Sequence, residues 1–214
     1  STFAYTYILQ QPAQILQAYG VTIFVTVVGT LLGLLLCALL GYAISRKDYR
    51  LRGALSFYVF FTLLFNGGVV PFYILMTRYL GLKDNILALI LPYLVTSWYV
   101  LILRTSFAQL PTELLDAARI DGAGEWRIFF QIVLPLSKPV LATIGLFFIL
   151  RFWNDWFLAL LFINDQKLYP LQYLLYVLMA NINFLASNPH TTGVPIPVQS
   201  ARMAMAGWRI STST

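Results

Sequence analysis

The chain has 214 residues, of which 59% are apolar and only 10% charged, with a mean hydropathy of +0.76. Soluble domains carry about 25% charged residues, so the solvent for most of this chain is lipid. The net charge of +6 is not gathered into a basic face with interleaved stacking aromatics, which excludes a nucleic-acid partner, and the single Cys37 rules out a disulfide framework or a cysteine metal site within the chain.

The sequence opens on Ser1 with no charged n-region followed by a short apolar core, so no signal peptide is visible and an upstream segment is expected. A helix needs about 20 apolar residues to cross the hydrocarbon, where exposed backbone polar groups are too costly to leave unpaired. Val21 to Ile44 has no charge in 24 residues and is the first predicted span. Within it Gly29, Gly33, Cys37, Gly41 and Ser45 follow one another at intervals of four, a small-residue stripe that lets a neighbouring helix approach closely. Gly53 to Thr77, free of charge over 25 residues, is the second span. There Asn66-Gly67-Gly68 with Pro71 weakens the helix; the break either lines a polar cavity or reflects the ordinary tolerance of Gly and Pro in membrane helices. Ile86 to Leu103 is the third span and Pro139 to Ile163 the fourth, the latter apolar except for Arg151 and Asp155.

Orientation follows from the loops, because translocation selects against positive charge. Arg46, Lys47, Arg50 and Arg52 follow the first span, and Arg104, Arg119, Arg127 and Lys138 follow the third; the other side holds only Arg78, Lys83 and Lys167. The first side is therefore cytoplasmic.

Between the third and fourth spans, Arg104 to Pro139 is too polar to cross. Pro111-Thr112-Glu113 reads as a helix start with Thr112 as the cap, and the helix is expected to run to Asp121. Gly122 suits the left-handed residue that ends it, and a second, amphipathic helix carries Trp126, Phe129, Phe130, Ile132 and Val133 up to Pro135. By itself this pattern also fits a helix lying on the membrane surface.

In the fourth span Arg151 and Asp155 lie four apart, so on a continuous helix they would pair. With Trp153, Asn154 and Trp156 they form either a polar solute path or a structural ion pair that fixes helix packing. The outer stretch Asn164 to Ser200 holds Asn181, Asn183, Asn188 and His190, broken by Pro189, Pro195 and Pro197.

The run Asp116-Ala117-Ala118-Arg119-Ile120-Asp121-Gly122-Ala123, followed by Phe129, Ile132, Leu134 and Pro135, resembles the EAA motif of bacterial ABC importer permeases, with Asp116 in place of the leading Glu. Tyr79-Leu80-Gly81-Leu82-Lys83-Asp84, Leu91-Pro92 and Trp153-Asn154-Asp155 are similar to the carbohydrate branch, in the position of the second membrane subunit of the maltose permease, and to Gram-positive oligosaccharide permeases. The resemblance implies an all-α polytopic transmembrane bundle of the type I importer fold, one permease domain over residues 1–214, in a bacterial plasma membrane. Four of the family's six spans are visible; the first is missing and the sixth would begin where the chain ends, at Trp208 to Thr214. It further implies that 104–139 docks on a cytoplasmic ATPase subunit, with Glu113, Asp116, Ala117, Ala118, Asp121, Gly122 and Ala123 at the contact and Trp126 and Phe129 anchored in the permease's own bundle. The other implied partners are a second, homologous permease subunit and an extracytoplasmic sugar-binding protein. No cofactor is implied.

An enzyme is not supported, since there is no Gly-x-Ser-x-Gly elbow, no His-Glu-x-x-His and no Walker A loop. A secondary transporter would use Asp155 as a coupling carboxylate and show two repeated halves; no such repeat is visible. A purely structural subunit is the third reading.

Overall fold

The computed structural model describes residues 12–187. Its axis is helix α1, Pro12–Ser45, 34 residues long. At 1.5 Å per residue this helix reaches about 50 Å, enough to cross a bilayer and extend beyond it. Its small-residue stripe faces inward. A Cβ on Gly29 would come within 2.5 Å of the Phe152 ring, and one on Gly33 within 2.8 Å of Phe148; on Gly41 it would meet Leu103 at 3.1 Å and the Arg104 backbone N at 3.2 Å. Cys37 is fully buried, its Sγ 3.5 Å from the Leu94 carbonyl oxygen. The stripe is thus the seam along which α1 packs against two later helices, α5 (Ser97–Ala108) and α8 (Lys138–Trp153). Ser45 is not part of the seam and donates to the carbonyl of Tyr42 in its own last turn.

Among the described residues, α1 is the one helix long and apolar enough to cross a membrane unbroken. The second apolar run is split into α2 (Arg52–Leu64) and α3 (Val69–Tyr79), which meet at 114°. The break lies at Phe65 to Gly68, where Gly68 takes a φ of +82° and its N–H is drawn to Asn66 Oδ1 at 2.9 Å. That left-handed conformation is one that glycine adopts without steric penalty. The third run is split into α4 (Leu87–Tyr93) and α5, bent by 47° just after Pro92. The fourth differs most from expectation. Helix α8 stops at Trp153, so Pro139 to Ile163 is not one helix, and α9 (Phe157–Phe162) follows as a separate piece. At its other end α8 joins α7 (Glu125–Leu136) at 84° across Ser137.

Asp84 ties two loops together. Its carboxylate accepts the backbone N–H groups of Asn164 and, at 3.1 Å, of Asp165, while its own N–H donates to the Phe162 carbonyl at 2.9 Å. Burial pushes the Asp84 carboxyl up, but these donors outweigh it and hold it below the ordinary carboxylate range. The stretch from Asn164 onward contains α10, Leu171–Ser187, whose first ten residues are apolar enough to pack as a helix. Thr22 of α1 receives the N–H of Leu171 at 2.8 Å and so satisfies one of the donors left open at the start of that helix. Asn183 is exposed; Asn188, Pro189, His190, Pro195 and Pro197 lie outside the described residues.

Candidate functional site

Helix α6, Thr112–Ile120, begins after Pro111. Thr112 is the first helical residue and not the cap; Pro111 holds the capping position without a side-chain hydrogen bond. Proline's fixed φ stands where a polar cap was expected. The end of α6 closes as the sequence predicts. Gly122 has a φ of +77°, its N–H donates to the Arg119 carbonyl at 3.0 Å, and the Ala123 N–H reaches back to the Ala118 carbonyl at 2.9 Å. This paired pattern satisfies the last carbonyls of the helix and turns the chain sharply into α7. A Cβ at Gly122 would meet nothing within 4 Å, so the requirement for glycine there is conformational rather than one of space within the chain.

The turn is held against α1 by charges that sequence reasoning missed. Arg119 donates through Nη2 to Asp48 Oδ2 at 2.6 Å, and through Nη2 and Nε to Glu125 Oε1 at 2.7 and 3.1 Å. The other oxygen of Glu125 accepts the Tyr42 hydroxyl at 2.7 Å, Asp116 lies 3.7 Å from Arg119, and the Tyr42 ring tilts onto Phe129 with centroids 5.3 Å apart. Hydrogen bonding to Arg119 holds Asp48 below its ordinary range. At Glu125 burial acts upward, but the Tyr42 hydroxyl and Arg119 win and the carboxyl is lowered; the same bonds push Arg119 further up, so it stays charged. One signal was available in the sequence: Arg119 and Glu125 flank Gly122, and the turn reverses the chain between them. The pairing with Tyr42 and Asp48, more than 70 positions away, left no local trace.

Phe129 is buried in the core, as expected of an anchor. Trp126 is not; it is 69% exposed and stacks edge-shifted on Phe130, because the tilt of α7 turns it outward toward an open cavity of about 520 Å³ beside Tyr42 and Arg119. Glu113, Asp116, Ala117, Asp121 and Gly122 are exposed, and Ala118 and Ala123 are half-buried at the turn. The outward face also carries Ile120 at 87% exposure, an apolar residue that the sequence reading passed over. The turn thus presents an uncovered isoleucine beside small neighbours.

A second site lies at the breaks in the spans. A cavity of about 530 Å³ is lined by Asn66, Gly67 and Gly68 from the first break, by Pro92 and Tyr93 from the second, and by Arg151 and Phe157. The glycine break thus lines a cavity. Arg151 and Asp155 do not form the expected ion pair, since α8 ends between them and their four-residue spacing loses its helical meaning. Asn154 ends the helix, its own side chain donating back to the Leu150 carbonyl at 2.8 Å. Tyr93 stands between the two charges: its hydroxyl donates to Asp155 at 3.0 Å, and the Arg151 guanidinium lies over its ring, 4.1 Å from the centroid. Of the five residues expected on a solute path, Arg151 lines this cavity. Trp156 is drawn off to stack on Tyr176 at 4.6 Å, and Trp153 is half-buried at the helix end.

No group of three or more metal-ligating side chains occurs among the described residues.

Comparison with known proteins places these features in context. The model of a family described as binding-protein-dependent transport system inner membrane component matches residues 29–188, a segment that includes α6, α7 and the cavity. Protein LplC of Bacillus subtilis is 41% identical over 204 residues, covering 94% of this chain and 68% of that protein. The polygalacturonan/rhamnogalacturonan transport system permease protein YtcP of the same organism is 39% identical over 208 residues, covering 94% and 71%. A crystal structure of a bacterial ABC transporter involved in the import of the acidic polysaccharide alginate superposes with a TM-score of 0.77 at 29% identity, over 94% of this chain and 68% of that one.

Proposed function

Since the chain belongs to the family of binding-protein-dependent transport system inner membrane components, we propose that it is the permease subunit of an ABC importer that carries a sugar or oligosaccharide into the cytoplasm. Members of this family are permease subunits and not enzymes themselves, and they work with an ATPase and a substrate-binding protein. The single observation that carries the coupling role is the turn at Gly122, exposed, tied by Arg119 to Asp48 just beyond α1 and by Glu125 to Tyr42 within it.

In this reading residues 1–214 are one multi-pass transmembrane domain, and 104–139 is its cytoplasmic docking loop. Glu113, Asp116 and Asp121 meet donors on the ATPase, Ala117, Ala118, Gly122 and Ala123 allow close approach, and Phe129 carries the force inward. Ile120 and Trp126 join the docking face because they are exposed. ATP binding closes the paired ATPases, and their motion passes through α6 and α7 to α8 as one lever, bent by 84° at Ser137. A second, homologous permease subunit completes the path and a binding protein delivers the sugar from outside. Coupling needs an element with two arrangements that both sites bias, and a stiff turn between two helices is such an element.

Cysteine crosslinking tests the docking. In a Cys37→Ser background, Ala123→Cys should crosslink to a cysteine in the cleft of the ATPase subunit in native membranes, and ATP should change the yield. Labelling of the same cysteine from outside intact cells, with no crosslink to the ATPase, would overturn the assignment.

A further inference from the structure

We infer that the cavity between the broken spans is selective for an acidic saccharide, with the Arg151 guanidinium as the receptor for a uronate carboxylate; this rests on the importer reading above and narrows it to a substrate class.

A guanidinium at membrane depth is costly unless something offsets its charge. The described residues give Arg151 no carboxylate within ion-pair distance: the described ion pairs all lie on the cytoplasmic face, around Arg46 and Arg119. The nearest acid, Asp155, is already engaged by the Tyr93 hydroxyl at 3.0 Å, and the backbone N–H groups of Leu158 and Phe157 also stabilise it. Arg151 instead lies 4.1 Å from the centroid of the Tyr93 ring. Stacking of this kind holds the guanidinium plane fixed, and of its five N–H donors those turned away from the Tyr93 hydroxyl can serve another group. Arg151 is exposed, and it is the one formally charged side chain on the described lining of the cavity.

The remaining lining suits a sugar ring. Phe157 offers flat apolar surface for its C–H face, and Asn66 with the bare backbone of Gly67 offers partners for hydroxyls. At about 530 Å³ the cavity falls within the range of about 300–1,000 Å³ that holds small ligands. A carboxylate placed on Arg151 would form the bidentate pair that this side chain makes best. A neutral sugar would leave the charge only partly offset, by the Tyr93 ring and by Asp155 at longer range. Independently, two of the similar proteins handle polyanions, the polygalacturonan/rhamnogalacturonan permease and the alginate importer.

The test uses the whole importer, with its ATPase and binding protein, in proteoliposomes. The probes are trigalacturonate and its methyl ester, which keeps the shape and loses the charge. Arg151→Gln should lower uptake of the acid relative to the ester at least tenfold, and Arg151→Lys should restore part of that preference. An equal fall for both probes, or no fall, would make Arg151 a packing residue and overturn the inference. Wild-type vesicles that import maltotriose but not trigalacturonate would also overturn it while leaving the importer reading intact. Import of none of the three sugars would overturn the inference too, whereas the importer reading falls only if the vesicles show no ATP-dependent uptake of any saccharide.

Discussion

Tyr42 shows how much one side chain can join. Its ring packs on Phe129 and its hydroxyl reaches Glu125, so the C-terminal end of α1 grips both faces of the turn that Arg119 braces. Each ion pair here is partly exposed, and exposed pairs contribute about 0.2–1 kcal/mol apiece. Their role is therefore to orient the turn rather than to hold the fold. Glu125→Gln should cost about 1 kcal/mol or less in the purified assembly while speeding hydrogen exchange at the Gly122 turn. The sign of the pH effect is set by Asp48 and Glu125, both lowered from ordinary values of 3.8 and 4.5. Groups depressed in the folded state stabilise it above their unfolded values, and that stabilisation is lost as pH falls through the folded ones. The difference in exchange between wild type and Glu125→Gln should thus be full at pH 7 and shrink progressively as pH falls below the ordinary value of 4.5 and through the lowered folded one. A difference independent of pH would show that the charges do not hold the turn.

At the scale of elements, what could be read from sequence divides along a physical line. Local patterns succeeded. The stripe Gly29, Gly33, Cys37 and Gly41 is the α1 seam, and Gly122 ends α6 in the left-handed conformation. Both depend on neighbours a few residues apart. Direction was not legible, because apolar content says how much backbone can lie in lipid but not whether it runs straight. Two apolar runs are bent, at Gly68 and just after Pro92, and a third is interrupted at Asn154; none of these marks carries an angle. The Arg151 and Asp155 pairing failed for that reason, and Trp126 failed because the tilt of α7 is set by tertiary contacts of Tyr42 and Phe129. The α1 seam makes its own prediction. A Cβ on Gly33 already stands 2.8 Å from the buried Phe148 ring, so Gly33→Leu should overpack the seam at a cost of about 1–3 kcal/mol, whereas Gly20→Leu, with open space around it, should cost almost nothing. Thermal unfolding of the two variants decides it; equal midpoints would mean that α1 does not pack as described.

For the molecule as a whole, the Gly122 turn and the cavity are linked through continuous structure. Helix α7 leads into α8, α8 packs on α1 through Phe148 and Phe152, and Arg151 of the same helix stands in the cavity wall. A push on the turn therefore has a direct route to the cavity, provided that the turn is stiff. The most direct test is to measure ATP hydrolysis and saccharide uptake in the same vesicles carrying wild type or Gly122→Val. Valine at a φ of +77° is strained, so the turn must deform. Uptake should fall at least tenfold with the subunit still inserted and the ATPase still able to hydrolyse ATP. Uptake per ATP equal to wild type would contradict the coupling role assigned to this turn.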